Sequence, residues 1–262
     1  MQLEVIHEKP AGPPRPTPLL FVHGKWHGAW CWQEHFLPFF AGHGYDCHAL
    51  SLRGHAGSAG QERLRWTSIA DYVSDVAQVA ASLPGPPAVI GHSMGGFIAQ
   101  KYLESHAAPA AVLLTAIPPT GLWHSTWLIF RRHPLLFMKA LLTLRLYPVV
   151  STPRLAREAF FSADMPPEKV AAYHGRMGDE SFRAYLDELG LNLVRTRLVR
   201  TPLLVIGAGQ DTLITPGMVQ ATARRYGTTA EIFPGMAHDV MLEAGWERVA
   251  GRILSWLGER GL

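Results

Sequence analysis

Cysteine is scarce. Among 262 residues only Cys31 and Cys47 occur, too few for a disulfide framework, and both lie in or beside apolar segments where packed thiols are expected. A long hydrophobic run is also missing. The longest, Pro134 to Val150, is interrupted by Lys139, Arg145 and Pro148, too short and too charged to cross a bilayer. The opening stretch MQLEVIHEKPAG lacks the apolar core of a secretory signal, so a cytoplasmic location is expected. No basic tract is present either. The net charge is +3 at a sequence pI near 9.0, and the arginines are dispersed along the chain. That dispersal argues against nucleic acid and favours a solvated surface over an anionic partner. Internal repeats and low-complexity segments are absent. What is present, 48% hydrophobic and 17% charged residues, suits one large globular domain or one domain carrying an insertion.

Short apolar runs alternate with segments of helical period, which predicts an α/β chain with a mainly parallel sheet and helices on both faces. Strands are expected at Leu3–His7, Leu19–Val22, Tyr45–Leu50, Ala88–Gly91, Ala111–Ala116, Leu203–Gly207 and Ala230–Phe233. Helices are expected at Ser68–Leu83, where Ile69, Val73, Val76, Val79, Ala80 and Leu83 recur at helical spacing. Gly96–Ser105, Pro216–Tyr226 and Trp246–Leu257 read as helices too. From Ile117 to about Arg200 the alternation stops. That stretch is rich in Trp, Phe, Leu and Arg, is punctuated by prolines, and reads as helical without a strand. The expected organisation is a core over 1–116, a helical cap inserted over 117–200, and the rest of the core over 201–262.

The stretch VIGHSMGGF, Val89–Phe97, places one serine between glycines where a strand gives way to a helix. A tight turn that needs small residues would explain it, and so would a reactive hydroxyl held above the sheet. Two later loops separate these readings. The strand at Leu203–Gly207 runs into a loop ending at Asp211, and the strand at Ala230–Phe233 into a loop ending at His238. The C-terminal ends of parallel strands share one edge, so Ser93, Asp211 and His238 are placed to converge. A glycine-rich turn alone predicts no such acid and base.

The order Ser, Asp, His, with FVHG at 21–24, GHSMG at 91–95, the GxxD of 208–211 and PGMAH at 234–238, resembles the α/β-hydrolases of the esterase and lipase type along nearly the whole chain. The stretch HGKWHGAWCW, 23–32, is similar to the corresponding segment of plant methyl esterases and their hydroxynitrile-lyase relatives. The resemblance implies the α/β-hydrolase fold, Ser93 as nucleophile, His238 as general base and then acid, and Asp211 as the residue that orients the imidazole. It also implies an oxyanion hole made by the backbone N–H groups of Lys25 and Met94. Lys25 departs from the small or apolar residue often found there. Its side chain is expected to point to solvent, the alternative being a positive charge near the oxyanion. His23 is expected to brace its loop and His92 to pack beside the serine. Asp239, adjacent to His238, is poorly placed to be the acid. Cys31 and the tryptophans at 26, 30 and 32 are expected to pack in the core and loops rather than react.

Trp26, Trp123, Trp127, Phe130 and Phe137 are candidates for an apolar substrate pocket. The expected activity is hydrolysis of hydrophobic, small-to-medium carboxylic esters through an acyl-enzyme. Thioester or lactone cleavage and perhydrolysis use the same triad and stay open. Hydroxynitrile lyases of the related branch use a threonine and a lysine where this chain has Gly24 and Asp239, which disfavours lyase chemistry. A non-catalytic ligand receptor on the same scaffold is the rival from outside enzymology. No cofactor and no metal is expected: His23 and His27 have a metal-like spacing but no acidic partner motif. The expected partner is a small-molecule ester, with neither nucleic acid nor stable membrane insertion.

Overall fold

A computed structural model describes residues 1–262. Seven strands form one sheet, β1 (Val5–Glu8), β2 (Leu19–Val22), β3 (Cys47–Leu50), β4 (Ala88–His92), β5 (Ala111–Leu114), β6 (Leu203–Ala208) and β7 (Ala230–Phe233), in the spatial order β1-β3-β2-β4-β5-β6-β7. Only β1 runs antiparallel, pairing Val5 with Leu50 and Glu8 with Cys47. Strands β2 to β6 are buried along their whole length. This explains why most of them read as apolar runs, with His48 in β3 and His92 at the end of β4 as the polar exceptions, since a parallel sheet is covered on both faces. Of the edge strands, β1 is mostly exposed and β7 is half-buried.

Helices cover both faces. They are α1 (Trp30–Gln33), α2 (Phe36–Gly42), α3 (Ile69–Ser82), α4 (Met94–Tyr102), α5 (Trp123–Arg132), α6 (Pro134–Thr143), α7 (Pro153–Phe160), α8 (Pro167–His174), α9 (Phe182–Leu186), α10 (Pro216–Arg225) and α11 (Trp246–Gly258). The start of α3 is set by a capping box: Ser68 Oγ accepts from Asp71 N–H, and the Asp71 carboxylate accepts from Ser68 N–H at 2.9 Å, satisfying two end donors at once. Helices α1 and α2 have no counterpart in the sequence reading. The glycine-rich loop there turns helical at Trp30, where burial of Trp30, Cys31 and Trp32 outweighs the weak local signal. Both cysteines are buried free thiols. Between β5 and β6 the chain forms α5 to α9 and short helical turns, with no strand.

The strand order places the site. The chain steps outward from β2 to β3 and returns to lay β4 on the other side of β2. The loops after β2 and β4 therefore leave the sheet side by side, at the kind of switch point where open α/β sheets form their crevice.

Candidate active site

Ser93 occupies the single residue between β4 and α4, with φ 52° and ψ −116°. A non-glycine residue there is strained by about 1–3 kcal/mol. Its backbone is held from both sides: Ser93 N–H donates to Leu114 O at 3.0 Å, and Ser93 O accepts from Phe97 N–H and Ile117 N–H. The turn is tight enough that a Cβ on Gly91 would lie 2.5 Å from Gly95 O, and a Cβ on Gly95 would strike the carbonyls of Val22 and His23. The glycines flanking the serine are thus required by close backbone approach, not only by the turn.

The loop after β6 carries Asp211 and the loop after β7 carries His238. His238 Nδ1 donates to Asp211 Oδ2 at 2.7 Å. The other carboxylate oxygen accepts from Leu213 N–H at 2.8 Å and Ile214 N–H at 2.9 Å, so Asp211 is fixed as an acceptor. With Nδ1 engaged, Nε2 of His238 presents its lone pair. That atom is buried and bonded to no other side chain. Burial alone would lower the His238 pKa, but the charge and hydrogen bond of Asp211, with Asp239 beside it, hold it above the usual histidine value. Ser93 Oγ and Nε2 of His238 share no hydrogen bond. Such contacts are commonly long without substrate and tighten in the complex. The His238 carbonyl is tied to Thr115 Oγ1 at 3.0 Å and His92 Nε2 at 3.1 Å. His92 packs 4.8 Å from the His238 ring. Burial, followed by the neighbouring His238, pushes its pKa down to about 3, so His92 is a neutral brace.

The loop after β2 closes the other side. A Cβ on Gly24 would lie 2.9 Å from Ser93 Cβ, so this loop rests directly on the serine. Met94 is the first residue of α4, and its N–H has no intrahelical acceptor. The N–H of Lys25 makes no hydrogen bond within the chain. His23 braces the loop, bonding Gly24 O through Nδ1 and accepting from Leu52 N–H through Nε2 at 3.0 Å. His27 Nε2 bonds Asp239 Oδ2 at 2.9 Å, which ties Asp239 to the loop instead of to the Nδ1 of His238.

The expectation that the Lys25 side chain points to solvent is overturned. Lys25 is 6% exposed, and its Nζ is paired with the buried carboxylate of Glu188. The segment between β5 and β6 folds over this loop and supplies the carboxylate that pairs with the ammonium group. Burial pushes the Glu188 carboxyl up to about 7 although Lys25 opposes the shift. The same segment grips the next residue. Trp26, at φ 63°, accepts from Gly178 N–H at 3.0 Å and donates its N–H toward Glu180 Oε2 at 3.4 Å. Burial disfavours the charged form of Glu180, but His55, Lys25 and Ser181 N–H together hold its pKa down to about 2.

Ser93, Lys25 and Trp26 open onto a cavity lined mostly by apolar side chains, the character expected of a small-molecule site. The pocket expectation is half corrected. Trp26 and Phe137 line the cavity, but Trp123, Trp127 and Phe130 are 65%, 54% and 36% exposed on the outside. The helical repeat of α5 turns Leu122, Ser125, Thr126 and Ile129 inward instead. Two of those four are polar, and their hydroxyls are satisfied, Ser125 by Leu213 O and Thr126 by Tyr185 Oη. The inward face is thus half polar and the conspicuous aromatic residues face out, which composition cannot reveal. Leu141, Leu146, Tyr185 and Leu213 also line the cavity and carried no sequence signal beyond being apolar.

With the fold and geometry established, the class follows. A profile of the alpha/beta hydrolase family matches residues 19–252, and the chain belongs to that family. Among similar proteins, a monoacylglycerol lipase from Mycolicibacterium smegmatis is 26% identical over 86% of this chain and 82% of its own length. Methyl jasmonate esterase 1 from Vitis vinifera is 33% identical over 38% of this chain and 39% of its own. The solved monoacylglycerol lipase of Paleococcus ferrophilus shares the fold at a TM-score of 0.74 and 19% identity, covering 99% of this chain and 100% of that one.

Proposed function

We propose that the protein is a serine carboxylic-ester hydrolase acting on hydrophobic, small-to-medium esters. The observation that carries this reading is the oriented Asp211–His238 pair, with Nε2 bare, on the same sheet edge as a strained serine that opens onto an apolar cavity. Similarity to a monoacylglycerol lipase and a methyl jasmonate esterase, both ester hydrolases by name, supports it.

In this reading Ser93 Oγ attacks the ester carbonyl carbon while His238 Nε2 takes its proton. The carbonyl π pair moves onto oxygen, where the N–H groups of Lys25 and Met94 stabilise the charge. The pair returns, the C–O bond to the alcohol breaks, and His238 gives its proton to the leaving oxygen. Water then attacks the acyl-Ser93 ester by the same sequence and releases the acid. Asp211 keeps the proton on Nδ1 and stabilises the imidazolium without taking a proton itself. The segment 117–200 acts as a cap that supplies the upper half of the pocket.

Turnover of p-nitrophenyl esters of increasing chain length, with fluorophosphonate labelling, tests the proposal. Ser93→Ala is expected to lower kcat by about 10⁶-fold, with the circular-dichroism spectrum and melting transition retained. Absence of turnover for every ester, with Ser93 unlabelled by the fluorophosphonate, would overturn it.

A further inference from the structure

From Ile117 to Arg157 the chain contains no aspartate or glutamate, yet carries Arg131, Arg132, Lys139, Arg145, Arg154 and Arg157. Two of these cations, Arg131 and Lys139, are exposed on the paired helices α5 and α6. Helices α5 and α6 meet at His133, which ends one and begins the other. Their inward residues, among them Ile129, Phe137 and Ala140, roof the Ser93 cavity. A helix covering a pocket ordinarily turns its polar side chains outward. Here the outward side chains are apolar as well: Trp123 and Trp127 on α5, and Leu135 and Leu142, 84% and 80% exposed, on α6. The spacings Trp123–Trp127 and Leu135–Met138–Leu142 keep each set on one stripe. Exposed Arg131 and Lys139 sit beside these stripes and pair with no carboxylate. Of their neighbours, Arg132 reaches Glu158 and Arg145 reaches Asp179.

We propose that this outer face of α5 and α6 docks on an anionic lipid surface. The charge distribution selects lipid over a second copy of the chain. A two-fold dimer sets the same patch against itself, bringing Arg131 and Lys139 against their own counterparts with no carboxylate in the segment to offset them. An anionic bilayer offers an apolar layer for leucine and a headgroup level suited to tryptophan, with phosphates to receive the arginine and lysine tips. Each such cation strengthens binding about fivefold. The association is peripheral, since no helix is long and apolar enough to cross a membrane. Docked in this way, the roof of the Ser93 cavity rests on the lipid. The docking goes beyond ester hydrolysis and does not depend on it.

Flotation with vesicles of phosphatidylcholine alone, and of phosphatidylcholine mixed with phosphatidylglycerol, tests the proposal. The wild type and Ser93→Ala are both expected to float with the mixed vesicles, and added salt to release them. Arg131→Gln with Lys139→Gln is expected to weaken partition roughly 25-fold. Trp127→Ser with Leu135→Ser is expected to lose binding at any lipid charge. Both pairs alter exposed side chains, so turnover of a water-soluble short-chain ester should stay at wild-type level and report an intact fold. Failure of the wild type to float with anionic vesicles overturns the proposal, as does equal flotation of all variants. A wild-type dimer that Trp127→Ser with Leu135→Ser dissociates in sedimentation velocity, without vesicle binding, would assign the face to a second copy instead. Because Ser93→Ala is assayed for binding alone, an inactive but floating protein would count against the hydrolase reading only.

Discussion

At Lys25 a surface-type side chain is buried against a carboxylate that burial has pushed up to about 7. Glu188 in the folded chain holds its proton more tightly than at the ordinary glutamate value of 4.5. Its contribution to stability is therefore full below that value and declines as pH rises through about 7. Lys25→Met would strand Glu188 without its cation. The expected loss is about 3–5 kcal/mol near pH 8, the scale for an uncompensated buried charge, and markedly less near pH 5, where the carboxyl is neutral. Urea unfolding at the two pH values measures it. The double variant Lys25→Met with Glu188→Gln should recover most of the loss, and an equal loss at both pH values would contradict the account. Sequence favoured solvent for this lysine because long charged side chains are usually hydrated. Its partner lies 163 residues away.

The elements divide sharply in how they tolerate one added methyl group. At the β4–α4 elbow, Gly95 faces the carbonyls of Val22 and His23, backbone atoms that cannot step aside without moving β2. Gly95→Ala should cost about 1–3 kcal/mol by overpacking and reduce ester turnover as the loop after β2 shifts on Ser93. Gly251, inside α11, has nothing within 4 Å of a built Cβ. There the substitution to alanine should stabilise by roughly 0.5–1 kcal/mol, through the lower entropy of the unfolded chain. Thermal denaturation of both variants provides the contrast, and similar melting shifts would refute it. The elements themselves were legible. Most strands are short apolar runs, and α3 is announced by its apolar stripe of Ile69, Val73, Val76, Val79 and Ala80. Helices α1 and α2 were not, because their stability comes from tertiary burial of aromatic side chains in a stretch whose glycines suggest a loop.

Across the whole molecule, three loops from β4, β6 and β7 must arrive together for the site to exist. The His238–Asp211 bond spans 27 residues and links two of them. Because Asp211 keeps the His238 pKa above 6.5, and His238 must be neutral to accept the Ser93 proton, kcat/KM should fall with decreasing pH through a limb lying above 6.5. Asp211→Asn removes the negative charge. It should move that limb to lower pH and reduce kcat by about 10⁴-fold, the scale seen when the orienting carboxylate of such a triad is lost. A pH–rate profile that does not move in the variant would separate Asp211 from His238.

The seven strands, helices α3, α4, α10 and α11, the elbow around Ser93, and the later loops ending at Asp211 and His238 follow from the chain alone. Each rests on local pattern: apolar period, glycine spacing, and the rule that parallel strands share an edge. The pocket wall did not. Trp123, Trp127 and Phe130 are the conspicuous aromatic residues of α5, yet the helix turns them outward and lines the cavity with Ser125, Thr126 and Ile129. Rotation about a helix axis is set by what packs on either side, and both faces of α5 are apolar enough to permit either orientation. The Lys25–Glu188 pair likewise arises only when distant segments meet. Long-range packing decided them, and no local pattern encodes it.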